Sequence, residues 1–233
     1  MEIELYNGDA KAIVSPRGGY ITNLANDDGD ILFPKRTLRA PDGSEKVRGG
    51  CHVCLPNFGP GGESGLAQHG FGRTGEWAIA GRSETFVELT LAGEGEYMGM
   101  DSLLRYELQL NSLQMVLTLK NKGKSPVKVS PGFHPYFFRG GQAVQLNGIM
   151  HKDGAEFNVA KFIEGEMHEL SLAGRMLQLH SDNLTQWALW TDELADYFCI
   201  EPTRAGNAFA EHMTNADTLL PGAAQTYSFT LQW

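Results

Sequence analysis

One histidine in this chain is set up for chemistry by its neighbours. His134 lies within Pro131-Gly132-Phe133-His134-Pro135-Tyr136-Phe137, between prolines and among aromatics, and Phe138-Arg139-Gly140-Gly141 follows as a turn. A polar ring held rigidly among aromatic faces suits a sugar site, where rings cover C–H surfaces and the polar group reads a hydroxyl. It equally suits a packed core histidine with its ring N–H satisfied, so the decision falls to its partners. Glu201 is the first candidate. It follows the apolar run Phe198-Cys199-Ile200 and precedes Pro202, which puts a carboxylate at a strand end and not on open surface. A glutamate at the edge of a core can have a raised pKa and act as a base near neutrality, whereas a solvated turn glutamate has no such property.

The remaining polar candidates sit on one glycine- and proline-rich segment, from Arg48 to Arg73. A loop of that length inside a compact fold is usually disordered or functional. Here Cys51, Val53, Cys54, Leu55, Phe58 and Phe71 give it apolar anchors, so it can hold Arg48, Gln68, His69 and Arg73 in fixed places. Two histidines, a glutamate and arginines on an ordered loop suit proton transfer on a polyol.

Other chemistries fit less well. Cys51-His52-Val53-Cys54 suggests a metal, but a zinc site normally needs a second ligand pair at comparable spacing, and the remaining cysteine, Cys199, lies in an apolar strand. Small core residues describe these cysteines better, and no metal or other cofactor is expected. Glycines 59, 61, 62 and 65 make no nucleotide-binding fingerprint, because no strand–glycine–helix unit surrounds them. No Gly-x-Ser-x-Gly elbow is present.

The elements that must position these groups read as strands. Short runs with alternating polarity, closed by Gly, Asn, Asp or Pro, recur from Ile3–Tyr6 to Tyr227–Leu231, and no helical periodicity extends over three turns. The pattern predicts an all-β, antiparallel two-sheet β-sandwich, read as a single domain over residues 1–233. Gln114–Leu119 and Val127–Val129 are expected to pair as a hairpin, with His134 where its second strand leaves the sheet. Short helices are expected around Thr191–Ala195 and Ala208–Met213. A chain of 233 residues can bury a substantial core without staples. Its net charge of −9 argues against a nucleic-acid face or a polybasic membrane contact. Three cysteines suit a reducing compartment, the first residues lack a signal-peptide pattern, and no apolar run is long enough to span a membrane, so a cytoplasmic location is expected.

Taken in order, Arg48-Gly49-Gly50, Pro56-x-Phe58-Gly59-Pro60, Gln68-His69-Gly70-Phe71-x-Arg73-x-x-x-Trp77, Phe133-His134-Pro135-Tyr136-Phe137 and Cys199-Ile200-Glu201-Pro202 resemble the aldose 1-epimerase (mutarotase) family, including its hexose-6-phosphate branch. Leu219-Leu220-Pro221-Gly222 and the run after it resemble the family's C-terminal end. The resemblance implies a large antiparallel β-sandwich. It implies Glu201 as catalytic base, His134 as catalytic acid, His69 as a sugar ligand near the ring oxygen, and a sugar or sugar phosphate as partner. Arg48 and Arg73 match arginines that face the phosphate in the phosphate-preferring branch; they serve equally as loop braces, pairing with carbonyls or with Glu76 or Glu63. Gln68 and Tyr136 complete the expected substrate contacts. The chain departs from the family pattern at Pro135, where many relatives carry Ser or Thr, and at Cys51-His52, which replaces a more usual Ile-Pro. A non-catalytic carbohydrate-binding or sugar-sensing protein is the alternative from another class, since a β-sandwich alone proves no activity.

Overall fold

Alternation decides which strands face water and which do not. In the strand Ser112–Asn121, Leu113, Met115, Leu117 and Leu119 are fully buried while Gln114, Thr118 and Lys120 lie on the other, wetter face. That is the signature of a sheet with one buried side. The strands Cys51–Cys54, Gly132–Phe138 and Tyr197–Thr203 differ: nearly every residue in them is buried, so both of their faces are covered. The computed structural model describes residues 1–151 and 154–233 and places these two kinds of strand in two different sheets.

Among the described residues each large sheet has nine strands, and all their pairings are antiparallel. The first runs Ile3–Asn7, Ala10–Ser15, Tyr20–Asn26, Cys51–Cys54, Gly132–Phe138, Tyr197–Thr203, Gln186–Trp190, Lys161–Glu164, with Gly29–Asp30 paired to Tyr20–Asn26. The second is centred on Ser112–Asn121, flanked by Met100–Gln109 and Ala224–Gln232. Their facing sides enclose one large apolar core, to which Phe133, Phe137, Trp187, Phe198 and Ile200 contribute from the first sheet and Leu104, Leu117, Tyr227 and Phe229 from the second. The all-β, two-sheet antiparallel sandwich expected from the sequence is therefore present. No helix among the described residues is long and apolar enough to cross a membrane.

Several local expectations are corrected. Ser112–Asn121 does not pair with Val127–Val129; it pairs within the second sheet, and Val127–Val129 pairs with Asp217–Leu219. His134 consequently lies mid-strand at the centre of the first sheet, not at an exit. Glu201 is also mid-strand, because the strand continues through Pro202 to Thr203. Thr191–Ala195 and Ala208–Met213 form turns and bends instead of helices. The segment from Arg48 to Arg73 is not one loop, since Cys51–Cys54 is a central strand.

Arg48 reaches its place through a forced turn. The hairpin Arg36–Arg39/Glu45–Arg48 connects to the strand Cys51–Cys54 through Gly49 and Gly50, at φ +97° and +66°. A Cβ on Gly50 would sit 2.1 Å from the carbonyl oxygen of Ile21, and one on Gly49 would sit 2.3 Å from that of Pro34. Only glycine permits both the left-handed backbone and the approach, and the turn sets Arg48 over the first sheet.

Candidate functional site

The period of two residues per strand sorts the first sheet's central strands into a core face and a site face. Phe133 and Phe137, Phe198 and Ile200, Cys51 and Val53, and Trp187 and Leu189 enter the main core. The alternate residues, His134 and Tyr136, Cys199 and Glu201, His52 and Cys54, and Ala188 and Trp190, therefore lie on the opposite face. Register does the rest. His134 pairs with His52 on one side. On the other, the register that joins Gly132 to Thr203 and Tyr136 to Cys199 sets His134 across from Glu201. Their side chains meet, with His134 Nε2 3.3 Å from Glu201 Oε2. Both residues are buried, at 5% and 2% exposure.

Burial disfavours the charged form of each partner. It holds the His134 imidazole well below its ordinary range, aided by the nearby His52 and His69 rings and by Arg73 and Arg48. It pushes the Glu201 carboxyl well above its ordinary range. In the unliganded protein burial therefore favours neutral imidazole beside protonated carboxyl, one proton for the pair.

His69 is fixed in a different role. The backbone N–H of Gly59 donates to its Nδ1 at 3.2 Å, so the neutral ring carries its hydrogen on Nε2, beside the Gln68 side-chain amide at 3.3 Å. Burial and the Arg73 charge hold its pKa down to about 3. His69 is a neutral hydrogen-bond donor at neutral pH, not a proton source. Its ring lies 5.1 Å from that of His134, centroid to centroid, and Tyr136 stacks on His134 from the other side at 4.6 Å and 16°.

All seven residues singled out in the sequence, Arg48, Gln68, His69, Arg73, His134, Tyr136 and Glu201, line one cleft of about 410 Å³. Phe71, Trp77 and Phe137, from the same motifs, belong to the core. Arg48 does not pair with Glu76 or Glu63: Glu76 pairs with Arg17 and Glu63 with His212. Its Nε and Nη2 both donate to Asp192 Oδ2, at 2.9 and 2.8 Å, its guanidinium sits over the Trp190 ring at 5.3 Å, and the Tyr197 hydroxyl donates to the other oxygen of Asp192. Arg73 has neither an ion pair nor a hydrogen bond among the described residues.

Lys46, Asp192, Trp190 and Asn207 are parts of the site that sequence reasoning missed; all but Asp192 line the cleft directly. Lys46 had a signal, since it stands two residues before Arg48 in a strand and shares its face. The others had none, because strand register and not sequence spacing brings them in. A neighbouring depression of about 430 Å³ around Phe162, Gln186 and Arg204 shares Asn207 with the cleft but contains no buried acid/base pair.

The comparisons with known proteins speak to family and fold. The aldose 1-epimerase family profile matches residues 1–164. A Cenchrus ciliaris protein provisionally named glucose-6-phosphate 1-epimerase is 40% identical over 65 residues, a stretch covering 27% of this chain and 18% of that protein's length. Among solved structures, an Escherichia coli K12 protein provisionally named aldose 1-epimerase superposes with a TM-score of 0.81 at 18% identity, over 100% of this chain and 98% of that one. A galactose mutarotase-related enzyme from Lactobacillus acidophilus gives 0.82 at 15% identity, over 100% and 97%. At such identities the structures speak for the fold alone, while the profile match, covering well over half of the sequence, carries the membership: the chain belongs to the aldose 1-epimerase family.

Proposed function

We propose that the protein interconverts the α and β anomers of a hexose, with Glu201 as base and His134 as acid. The observation that carries this reading is the buried Nε2···Oε2 contact of 3.3 Å on the floor of the cleft. Anomer exchange moves one proton off the C1 hydroxyl and one onto the ring oxygen. Both oxygens are bonded to the same carbon, so acid and base must be neighbours. Transfer of the shared proton from Glu201 to His134 creates the working pair. Glu201 then takes the C1 hydroxyl proton as His134 protonates the ring oxygen. The C1–O5 bond breaks, C1 becomes an aldehyde and turns about C1–C2, and closure on the other face returns both protons. Each group contributes ~10²–10⁴-fold, and the His69 Nε2–H stabilises charge on the ring oxygen by hydrogen bonding.

NMR exchange between the anomers of glucose and galactose tests the proposal. Acceleration over buffer supports it. Binding of the sugars without acceleration makes the protein a carbohydrate-binding module. The pH profile is a further expectation. The pair is competent while it holds one proton, and it leaves that state by gaining a second at low pH or losing the last at high pH. Because His134 is shifted down and Glu201 up, the plateau should extend below pH 6.5 on the acid side and well above 4.5 on the alkaline side. A narrow optimum confined between those ordinary values would show that the pair is not coupled as described.

A second reading, hexose 6-phosphate as substrate, is favoured by the charge on one wall. Lys46, Arg48 and Arg73 line the cleft, Arg48 already has its carboxylate, and Arg73 and Lys46 have no ion-pair partner among the described residues. An arginine left without a carboxylate in an acidic protein is available for a phosphate, which it can bind through two parallel hydrogen bonds. The local similarity to a protein provisionally named glucose-6-phosphate 1-epimerase supports the same reading. Glucose 6-phosphate therefore belongs in the exchange measurement beside the free sugars.

A further inference from the structure

Cys199 takes no part in the reaction just described, yet it stands beside it. It is two residues from Glu201 on the same strand, shares its face, and is fully buried, its thiol without a hydrogen bond among the described residues. A ring nitrogen of His134, the Cys199 Sγ and a Glu201 carboxylate oxygen all lie within 4.8 Å of one another. Ligand atoms around a tetrahedral zinc ion, at about 2.0–2.3 Å from it, are separated by about 3.3–3.8 Å. The 3.3 Å between His134 Nε2 and Glu201 Oε2 already falls in that range. The thiol, within 4.8 Å of both other ligand atoms, stands where the third corner is needed.

We propose that His134, Cys199 and Glu201 form a site for a borderline-soft divalent cation of the zinc type, and that filling it stops turnover. Nitrogen, sulfur and oxygen donors together select zinc, cadmium or cobalt over magnesium or calcium, which prefer oxygen. The fourth position opens to the cleft, where water or a sugar hydroxyl completes the tetrahedron. The charges balance: binding displaces the thiol proton and the proton shared by His134 and Glu201, leaving M²⁺ with a thiolate, a carboxylate and a neutral imidazole. A net-neutral cluster suits a buried site. Of the other groups on this face, His52 and His69 are held neutral by burial and Arg48 is paired with Asp192, while Arg73 and Lys46, which line the same cleft without an ion-pair partner among the described residues, are the charges that oppose a cation. The ion would occupy the lone pairs that must exchange protons, so it acts as an inhibitor, not a cofactor.

The inhibitory half of the proposal rests on the epimerase reading, whereas the binding half does not, and the experiment separates them. Cadmium chloride is titrated into the full chain under reducing conditions while thiolate-to-metal absorption is followed in the ultraviolet. One equivalent of cadmium should produce the band, and Cys199→Ser and Cys199→Ala should both lose it while folding normally. Zinc chloride should suppress anomer exchange reversibly, with recovery on adding a chelator. Loss of a direct ligand should weaken zinc inhibition by more than the roughly 10–100-fold that the loss of a ligand's outer hydrogen-bond partner costs, with basal exchange in Cys199→Ser unchanged. Absence of the band, or a band that persists in both Cys199 variants and so arises at Cys51 or Cys54, overturns the site. Zinc inhibition of equal potency in Cys199→Ser overturns the mechanism of inhibition. If the protein accelerates no anomer exchange, the epimerase reading fails and the absorption titration alone decides the site.

Discussion

Glu201→Gln is expected to lose anomer exchange by about 10²–10⁴-fold, the range of a general base, while melting at a higher temperature than the parent at pH 8. Loss of rate and gain of stability have the same source. Burial raises the Glu201 pKa in the folded protein, so the folded state keeps a proton that the unfolded state releases above pH 4.5. Between that pH and the raised folded value the folded state binds more protons, and stability falls as pH rises. The contribution is intact below pH 4.5 and is lost progressively on the alkaline side. Glutamine does not ionise, and its amide can still donate to His134 Nε2, so the variant escapes the loss. For a chain of this size each kcal/mol recovered raises Tm by about 2–4 °C. At pH 4, where the carboxyl is protonated in both states, the two proteins should melt together. Full exchange activity in the variant would remove the base assignment. Lower Tm at pH 8 with normal activity would make Glu201 a structural partner of His134.

The second large effect is expected at Arg73. Arg73→Met should lower kcat/KM for glucose 6-phosphate by about 10–100-fold, as befits a hydrogen bond to a charged group worth ~1.5–3 kcal/mol, and leave free glucose nearly unchanged. Methionine keeps the length of the side chain and removes the charge. Arg73 has no carboxylate to abandon among the described residues, so the variant strands no buried anion. The same change at Arg48 would leave Asp192 without its cation and disturb the Trp190 wall, which makes Arg73 the cleaner test. Raising the salt concentration should shrink the difference between the two sugars in the parent protein, because the cleft is open to screening ions. Equal losses for both sugars would place Arg73 on the hydroxyls or in loop bracing, and the phosphate reading would fall.

Much of this was legible in the residues themselves. Alternation along Gln114–Leu119 and Leu103–Leu110 predicts half-buried strands, and the sandwich follows from their number. What alternation does not carry is pairing: Val127–Val129 lies nearest in sequence to Ser112–Asn121, yet the partners are Met100–Gln109 and Ala224–Gln232. His134 and Glu201 were legible as a pair through their motifs, but their mid-strand position was not. Pro135 and Pro202 read as strand stops and are instead residues of strands buried on both faces. Trp187-Ala188-Leu189-Trp190 is apolar throughout, so nothing in its pattern tells that Trp190 faces the cleft while Trp187 faces the core. Asp192 is the partner of Arg48 across 144 positions of sequence, and no local rule reaches that far.

The proposed catalytic pair and the residues proposed to choose a substrate belong to different parts of the chain. His134 and Glu201 stand on adjacent central strands, whereas Lys46 and Arg48 come from a peripheral hairpin and Gln68, His69 and Arg73 from the connection between Cys51–Cys54 and Ala78–Arg82. On the proposed reading, selection can therefore rewrite which sugar is preferred by altering residues of two connecting segments, without touching the proton relay. For protein engineering the same division defines two cassettes, residues 36–48 and the cleft-facing positions of 55–77, to be exchanged between relatives with the core anchors Leu55, Phe71 and Trp77 kept.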